Sequence, residues 1–402
     1  MSGVRQSICF SLEDTFGGGI GSGNVWIAPP PGSYFTSTHS RQASRIQSTG
    51  TKMWDTFAYG TLQGSWEWTF MLDYNYLEPL ALAFEVCNLT GTSTGQPSGS
   101  YLYNFSKSNT SRVKSFTVRR IILNQMAGGP SGMDEMEILK GCVCKSITFA
   151  RSAGTSQVQV TMSGFYASEE MTLGNISSTD YKAYSGNLVE YSCLFAGKDT
   201  NNDGVADEFY YVANTESLTV SIDNSAEAIY NVCSPFAKQY SEGITDYTFS
   251  TTAYSNDPSH YKQKVYSGGQ ILDTMPTSPM CKGMAPLAGM KIQAMNLSCD
   301  NGSDWSTNWS AATQWMEINI TKCVIRSLQW QSGDGGKLQD SISSAECQSI
   351  TFSFRSTKQY MTFTAQNTNA VTTQTRSINS TRSIPEVEDE SDPVEGDDTE
   401  SR

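Results

Sequence analysis

A mainly β fold is the class this sequence predicts: two tandem duplicated sandwich or barrel domains with short flanking helices. Three observations predict it. First, segments recur in one order about 180 residues apart, FAYGTLQGSWEWTF at 57–70 returning as FAKQYSEGITDYTF at 236–249. MEILKGCVCKSITF at 136–149 returns as MEINITKCVIRSLQW at 316–330, and VQVTMSGF at 158–165 returns loosely as QSITFSFR at 348–355. Recurrence of three segments in one order marks an internal duplication. Second, abundant Ser, Thr and Gly accompany 8 Trp, 19 Tyr and 17 Phe, a mix that suits sheets and turns better than helices. Third, several stretches alternate apolar and polar residues with the period of a half-buried strand.

The elements follow in order. Residues 1–35, with Gly17-Gly18-Gly19 and Pro29-Pro30-Pro31, read as an extended N-terminal arm with little structure of its own. The first β domain takes residues 36–175. Within it, Trp66, Trp68, Phe70 and Leu72 face one way along a strand, and Glu67, Thr69, Met71 and Asp73 the other. Glu78-Pro79 starts a short helix whose Leu80, Ala81, Ala83 and Phe84 pack onto the sheet. A polar loop or long hairpin covers 88–112, strands follow at 113–123, 142–149 and 157–166, and a turn-rich connection covers 167–190. The second domain takes 176–366, with strand material at 208–224, 245–251, 288–297, 316–330 and 347–355 and a long hairpin loop at 331–345. From 367 to 402 the composition turns to Asn, Thr, Gln and Ser and then to acid, which reads as a disordered tail.

Charge is uneven along the 402 residues. Residues 384–402 hold nine acidic residues and one Arg, a net of −8 out of −13, so the first 383 residues carry −5. That balance argues against tight nucleic-acid binding, which needs clustered Lys and Arg. No stretch approaches the roughly 20 apolar residues of a membrane helix, and the N-terminus lacks the apolar centre of a secretory signal. A soluble protein made in a cytoplasm is the expectation, with its ten cysteines held as buried free thiols. Nine Asn-x-Ser/Thr sequons are then chance products of a Ser/Thr/Asn-rich chain.

Little here supports catalysis. His39 and His260 are the only histidines, and both sit in polar, turn-like settings. GGGIGSG at 17–23 has no preceding strand and no Lys, so it is no phosphate loop. One local motif stands apart, DTNNDGVADE at 199–208. Asp199, Asn201, Asp203 and Asp207 occupy positions 1, 3, 5 and 9 of a calcium loop, Gly204 the turn, and the Val205 carbonyl position 7. Position 12 holds Tyr210 in place of an acid, with Glu208 two residues earlier. Two readings fit: a calcium staple at the entry to the second domain, or a solvated Asx-rich turn. No cofactor is required, and Ca2+ is the one candidate.

The order of these elements resembles the major tail tube proteins of long-tailed phages. The likeness is strongest in GTLQGSWEWTFMLDYNYLEPLALAFE at 60–85 and again in VTMSGFYASEE at 160–170, and it covers most of residues 24–366. The duplication is similar to a subgroup with two tube domains in one chain. The resemblance implies a virion-tail structural protein that forms trimeric, pseudo-hexameric rings stacked around a lumen for DNA. It implies tape measure, tail tip and tail terminator proteins as partners, no enzyme activity, and arm and loop contacts between rings. The face carrying Glu67, Thr69, Asp246 and Thr248 then looks to lumen or to solvent. The competing class is a two-domain, calcium-stabilised adhesin-like binding module.

Overall fold

Among the described residues, alternation resolves into eighteen strands and one helix. The structure, a computed structural model, describes residues 6–20, 26–27, 29–30, 32–46, 56–84, 92–93, 101–106, 113–122, 134–152, 155, 157–174, 188–190, 193–198, 208–212, 215–255, 287–296, 308–309, 311–332 and 338–356. β1 (Gln6–Leu12), β2 (Tyr34–Ile46) and β3 (Thr56–Met71) come first, followed by α1 (Glu78–Ala83). Next are β4 (Thr92–Ser93), β5 (Tyr101–Phe105), β6 (Ser115–Ile122), β7 (Asp134–Ser152), β8 (Gln159–Tyr166) and β9 (Ser168–Gly174). The remainder supplies β10 (Cys193–Lys198), β11 (Glu208–Val212), β12 (Thr215–Asp223), β13 (Glu227–Ile229) and β14 (Gln239–Ser241). It ends with β15 (Asp246–Ser255), β16 (Leu287–Met295), β17 (Trp315–Ser332) and β18 (Leu338–Ser356).

Sixteen strands share one antiparallel sheet, whose main path runs β11-β10-β16-β17-β18-β15-β12-β7-β8-β3-β2. β13 and β14 form a separate hairpin. The mainly β expectation therefore holds. Residues 1–370 fall in one compact unit, and 371–402 lie outside the described residues. That unit takes in both stretches assigned above to separate domains. Its two halves meet where β12 pairs with the distal part of β7, Val220 opposite Phe149 and Asp223 opposite Ser146.

Strand β7 belongs to two ladders. Its proximal part pairs with β6 and β9, its distal part with β8 and β12. The change falls at Gly141, with φ 68°, a value that favours glycine. A Cβ there would stand 2.6 Å from that of Ala167. An isolated Gly inside a strand pattern is the usual mark of such a bend.

The core is continuous across the halves. Phe149 of β7 packs against Phe352 of β18 with centroids 4.6 Å apart, and Phe352 against Phe84 beside α1 at 5.1 Å. Phe105 of β5 joins through Phe84 at 6.0 Å and Phe354 at 5.7 Å. In β3, Trp66, Trp68 and Phe70 are buried while Glu67 is exposed, as the alternation predicts. Asp73 departs from it: the carboxylate is buried and accepts the Asn75 N–H at 2.7 Å, closing the strand with an Asx turn. α1 forms where Glu78-Pro79 predicts, with all six residues buried.

Three stretches read as irregular contain strands. The arm holds β1, paired with β6 and burying Ile8, Phe10 and Leu12. The hairpin reading of 88–112 fits β4 and β5, which pair with each other, and β5 also adds to β18. The connection at 167–190 holds β9 on β7, and β18 begins within the expected 331–345 loop. β1 and β9 take their backbone partners from β6 and β7, which local sequence does not reveal, whereas β18 begins as a hairpin with the end of β17.

The neighbour order β7-β8-β3-β2 has a counterpart in β17-β18-β15-β12. Ser146 faces Ser163 just as Ser327 faces Ser344. One residue further, Gly164 faces Trp66 and Ala345 faces Phe249. The ladders thus set Phe249 against Trp66, where the sequence match set it against Phe70. They also set β8 against the first part of β18, not against 348–355.

Candidate assembly surface

Alternation gives the sheet one apolar and one polar face, and the polar face runs unbroken across the junction of the halves. One row passes through Tyr34, Thr69, Thr161, Thr148, Ser221 and Thr248. The next passes through Thr36, Glu67, Ser163, Ser146, Asp223 and Asp246. Thr69 and Thr248, singled out from sequence, lie in the first row; Glu67 and Asp246 lie in the second. Hydroxyls join across strands: Thr38 to Ser65 at 2.6 Å, Ser146 to Ser163 at 2.7 Å, Thr148 to Ser221 at 2.9 Å and Thr321 to Ser349 at 2.6 Å.

Cations on this face are sparse and placed beside partners. Lys145 shares with Glu67 a depression of about 360 Å3, whose walls include Thr36, Thr38, Ser65 and Ser163. Arg326 pairs with Glu346 at 2.5 Å, and both are exposed. Lys291 lies over the Phe209 ring at 4.1 Å. Among the described residues, this face offers phosphate no cluster of positive charge.

Three buried polar groups hold the sheet's parts in place. Glu13, just after β1, accepts hydrogen bonds from the Gly141 N–H at 2.7 Å, the Thr117 hydroxyl at 2.7 Å and the Gly17 N–H at 3.0 Å. Burial raises its pKa above the ordinary carboxylate value, and these bonds offset only part of that rise. The glycine run expected to be a loose arm is here a tight turn, with φ of 71° at Gly17 and 82° at Gly19. Asn224, next to β12, is fully buried and donates from Nδ2 to the Ala83 carbonyl at 3.3 Å and the Cys144 carbonyl at 3.2 Å. A residue from the second half thereby holds the end of a helix from the first. Arg120 of β6 pairs with Glu137 of β7 at 2.6 Å, and the Ser37 hydroxyl of β2 donates to the same carboxylate at 2.9 Å.

Several strands pair on one side only among the described residues, and β2 and distal β17 are two of them. β2 pairs with β3 alone. β17 pairs on one side with β18 along its length, but its other side is covered by β16 only from Trp315 to Cys323. Backbone groups on the rest of that side are the pattern to which another strand adds.

The expected calcium ligands Asp199, Asn201, Asp203, Val205 and Asp207 lie outside the described residues. Glu208 and Tyr210 do not: both belong to β11, opposite Lys198 and Ala196 of β10. No group of three or more His, Cys, Asp or Glu able to hold a metal occurs among the described residues. His39 is a surface residue, 63% exposed and 3.3 Å from Glu169, while His260 lies outside the described set. Cys9, Cys142, Cys144 and Cys323 are buried, and Cys233 is exposed. Burial pushes the Cys142 thiol up, away from reactivity. No helix among the described residues is long and apolar enough to cross a membrane. Glu13, Asn224 and the open edges escaped sequence reasoning; the alternation of Ile8, Phe10 and Leu12 was the available signal for the first. No protein-family model matches this sequence, and no curated protein matches it, so the functional reading rests on the geometry above.

Proposed function

We propose that this chain is a structural virion protein, the subunit of a viral tail tube made in the host cytoplasm. Copies polymerise into rings, trimeric and pseudo-hexameric, that stack into a tube through which DNA passes during ejection. Tape measure, tail tip and tail terminator proteins are the partners of such a tube. The observation that supports this most is the single polar face, tiled with hydroxyls and poor in unpaired cations, that crosses both halves of one sheet. A conduit wall for a polyanion needs a wetted surface that does not grip phosphate, and clustered Lys and Arg would grip it. It also needs an apolar back that keeps the wall rigid, which the shared aromatic core supplies. Closing such a sheet on itself removes exposed edges.

Negative-stain electron microscopy of the purified chain, with and without calcium, tests the reading. Hollow stacked rings with three-fold or pseudo-six-fold end views are expected. Discrete monomers at every concentration would overturn it and favour the binding module.

A further inference from the structure

We propose that the open edge of β2 in one copy adds to the uncovered side of β17 in the next, with Thr38 opposite Gln329. This rests on the ring-forming reading and specifies its junction. The template lies inside the chain, where β12 of the second half adds to distal β7 of the first. Each strand of that junction has a counterpart with an open edge. Distal β17 is the counterpart of distal β7, because Cys142-Val143 and Lys145-Ser146 match Cys323-Val324 and Arg326-Ser327. β2 is the counterpart of β12, because β2 flanks β3 as β12 flanks β15.

The register follows from the ladders. Trp66 and Phe249 correspond; Ser37 faces the first and Val220 the second. Val220 faces Phe149 in the internal junction, and Phe149 corresponds to Trp330. Ser37 of one copy therefore faces Trp330 of the next. One step on, Thr38 faces Gln329, as Ser221 faces Thr148 inside the chain. Thr38 is exposed on the polar face, so the added strand continues the hydroxyl rows from one copy into the next. Neither segment, 36–40 or 327–331, contains proline, so every backbone donor the ladder needs is present. The contact joins unlike patches, which propagates copy to copy until a ring closes.

Variants with one introduced cysteine each, Thr38→Cys and Gln329→Cys, in a Cys233→Ser background, test this under mild oxidation against the background protein alone. Directly opposed antiparallel residues lie within disulfide reach. Mixing the two variants is expected to give a covalent dimer that neither gives alone, with the linked peptides identified by mass spectrometry. The variant carrying both cysteines is expected to give a ladder ending at the ring size. Rings by microscopy with linkage of Tyr34→Cys, but not Thr38→Cys, to Gln329→Cys would overturn this register and leave the tube reading intact. Dimers from Thr38→Cys alone would overturn the head-to-tail junction. Monomers throughout would overturn both the junction and the tube.

Discussion

Glu13 shows how one buried carboxylate organises a terminus. It accepts hydrogen bonds from the Gly141 and Gly17 N–H groups and from the Thr117 and Ser115 hydroxyls, so removing it leaves several donors without this acceptor. Glu13→Ala is expected to cost on the order of 3 kcal/mol, read by urea unfolding. The residue also makes stability depend on pH. Its folded-state pKa is raised, mainly by burial. A raised pKa means that its contribution is complete below the unfolded value near about 4.3 and fades as pH rises through the folded value. Glu13→Gln keeps an acceptor without the charge. The wild type should therefore lose stability relative to Glu13→Gln as pH rises from 4 to 8; a difference flat in pH would refute the assignment.

At the scale of elements, the terminal strand changes what a truncation should do. Read as a loose arm, residues 1–35 ought to be dispensable for folding. With Ile8, Phe10 and Leu12 in the core, deletion opens a cavity several side chains wide and bares the edge of β6. The truncated chain is expected to lose cooperative unfolding by circular dichroism; a folded subunit that merely fails to polymerise would contradict this. Legibility from sequence divides along the same line. β3, β8 and α1 were readable because each carries its own pattern, whether period-two alternation or Pro at a helix start. β1 and β9 were not, because their strand character comes from β6 and β7, strands that are not their neighbours in sequence. Of the polar face, Glu67, Thr69, Asp246 and Thr248 were visible. Asn224 was not, because its role requires helix α1 and β7 to arrive beside it.

The whole compact unit behaves as one fold divided between two similar sequences. Strand β5 sits in the ladder of β18, β12 in that of β7, and Phe352 between Phe84 and Phe149. Residues 1–175 and 176–366 expressed separately are each expected to lack a cooperative melt, and to regain one when co-expressed. A sharp transition from either alone would show that duplication had preserved self-sufficient units. The hydroxyl rows carry a last consequence. In the pairs Ser146–Ser163, Thr148–Ser221 and Thr321–Ser349, either oxygen can donate. Each pair can reverse its direction when both hydroxyl hydrogens rotate, one about each C–O bond, with the two oxygens staying in place. The wall consequently has no committed dipole, and the water layer it orders can reorient as a charge moves by. In the proposed conduit, a passing phosphate meets a surface that adapts its sign locally and then relaxes, lubricating passage while storing nothing.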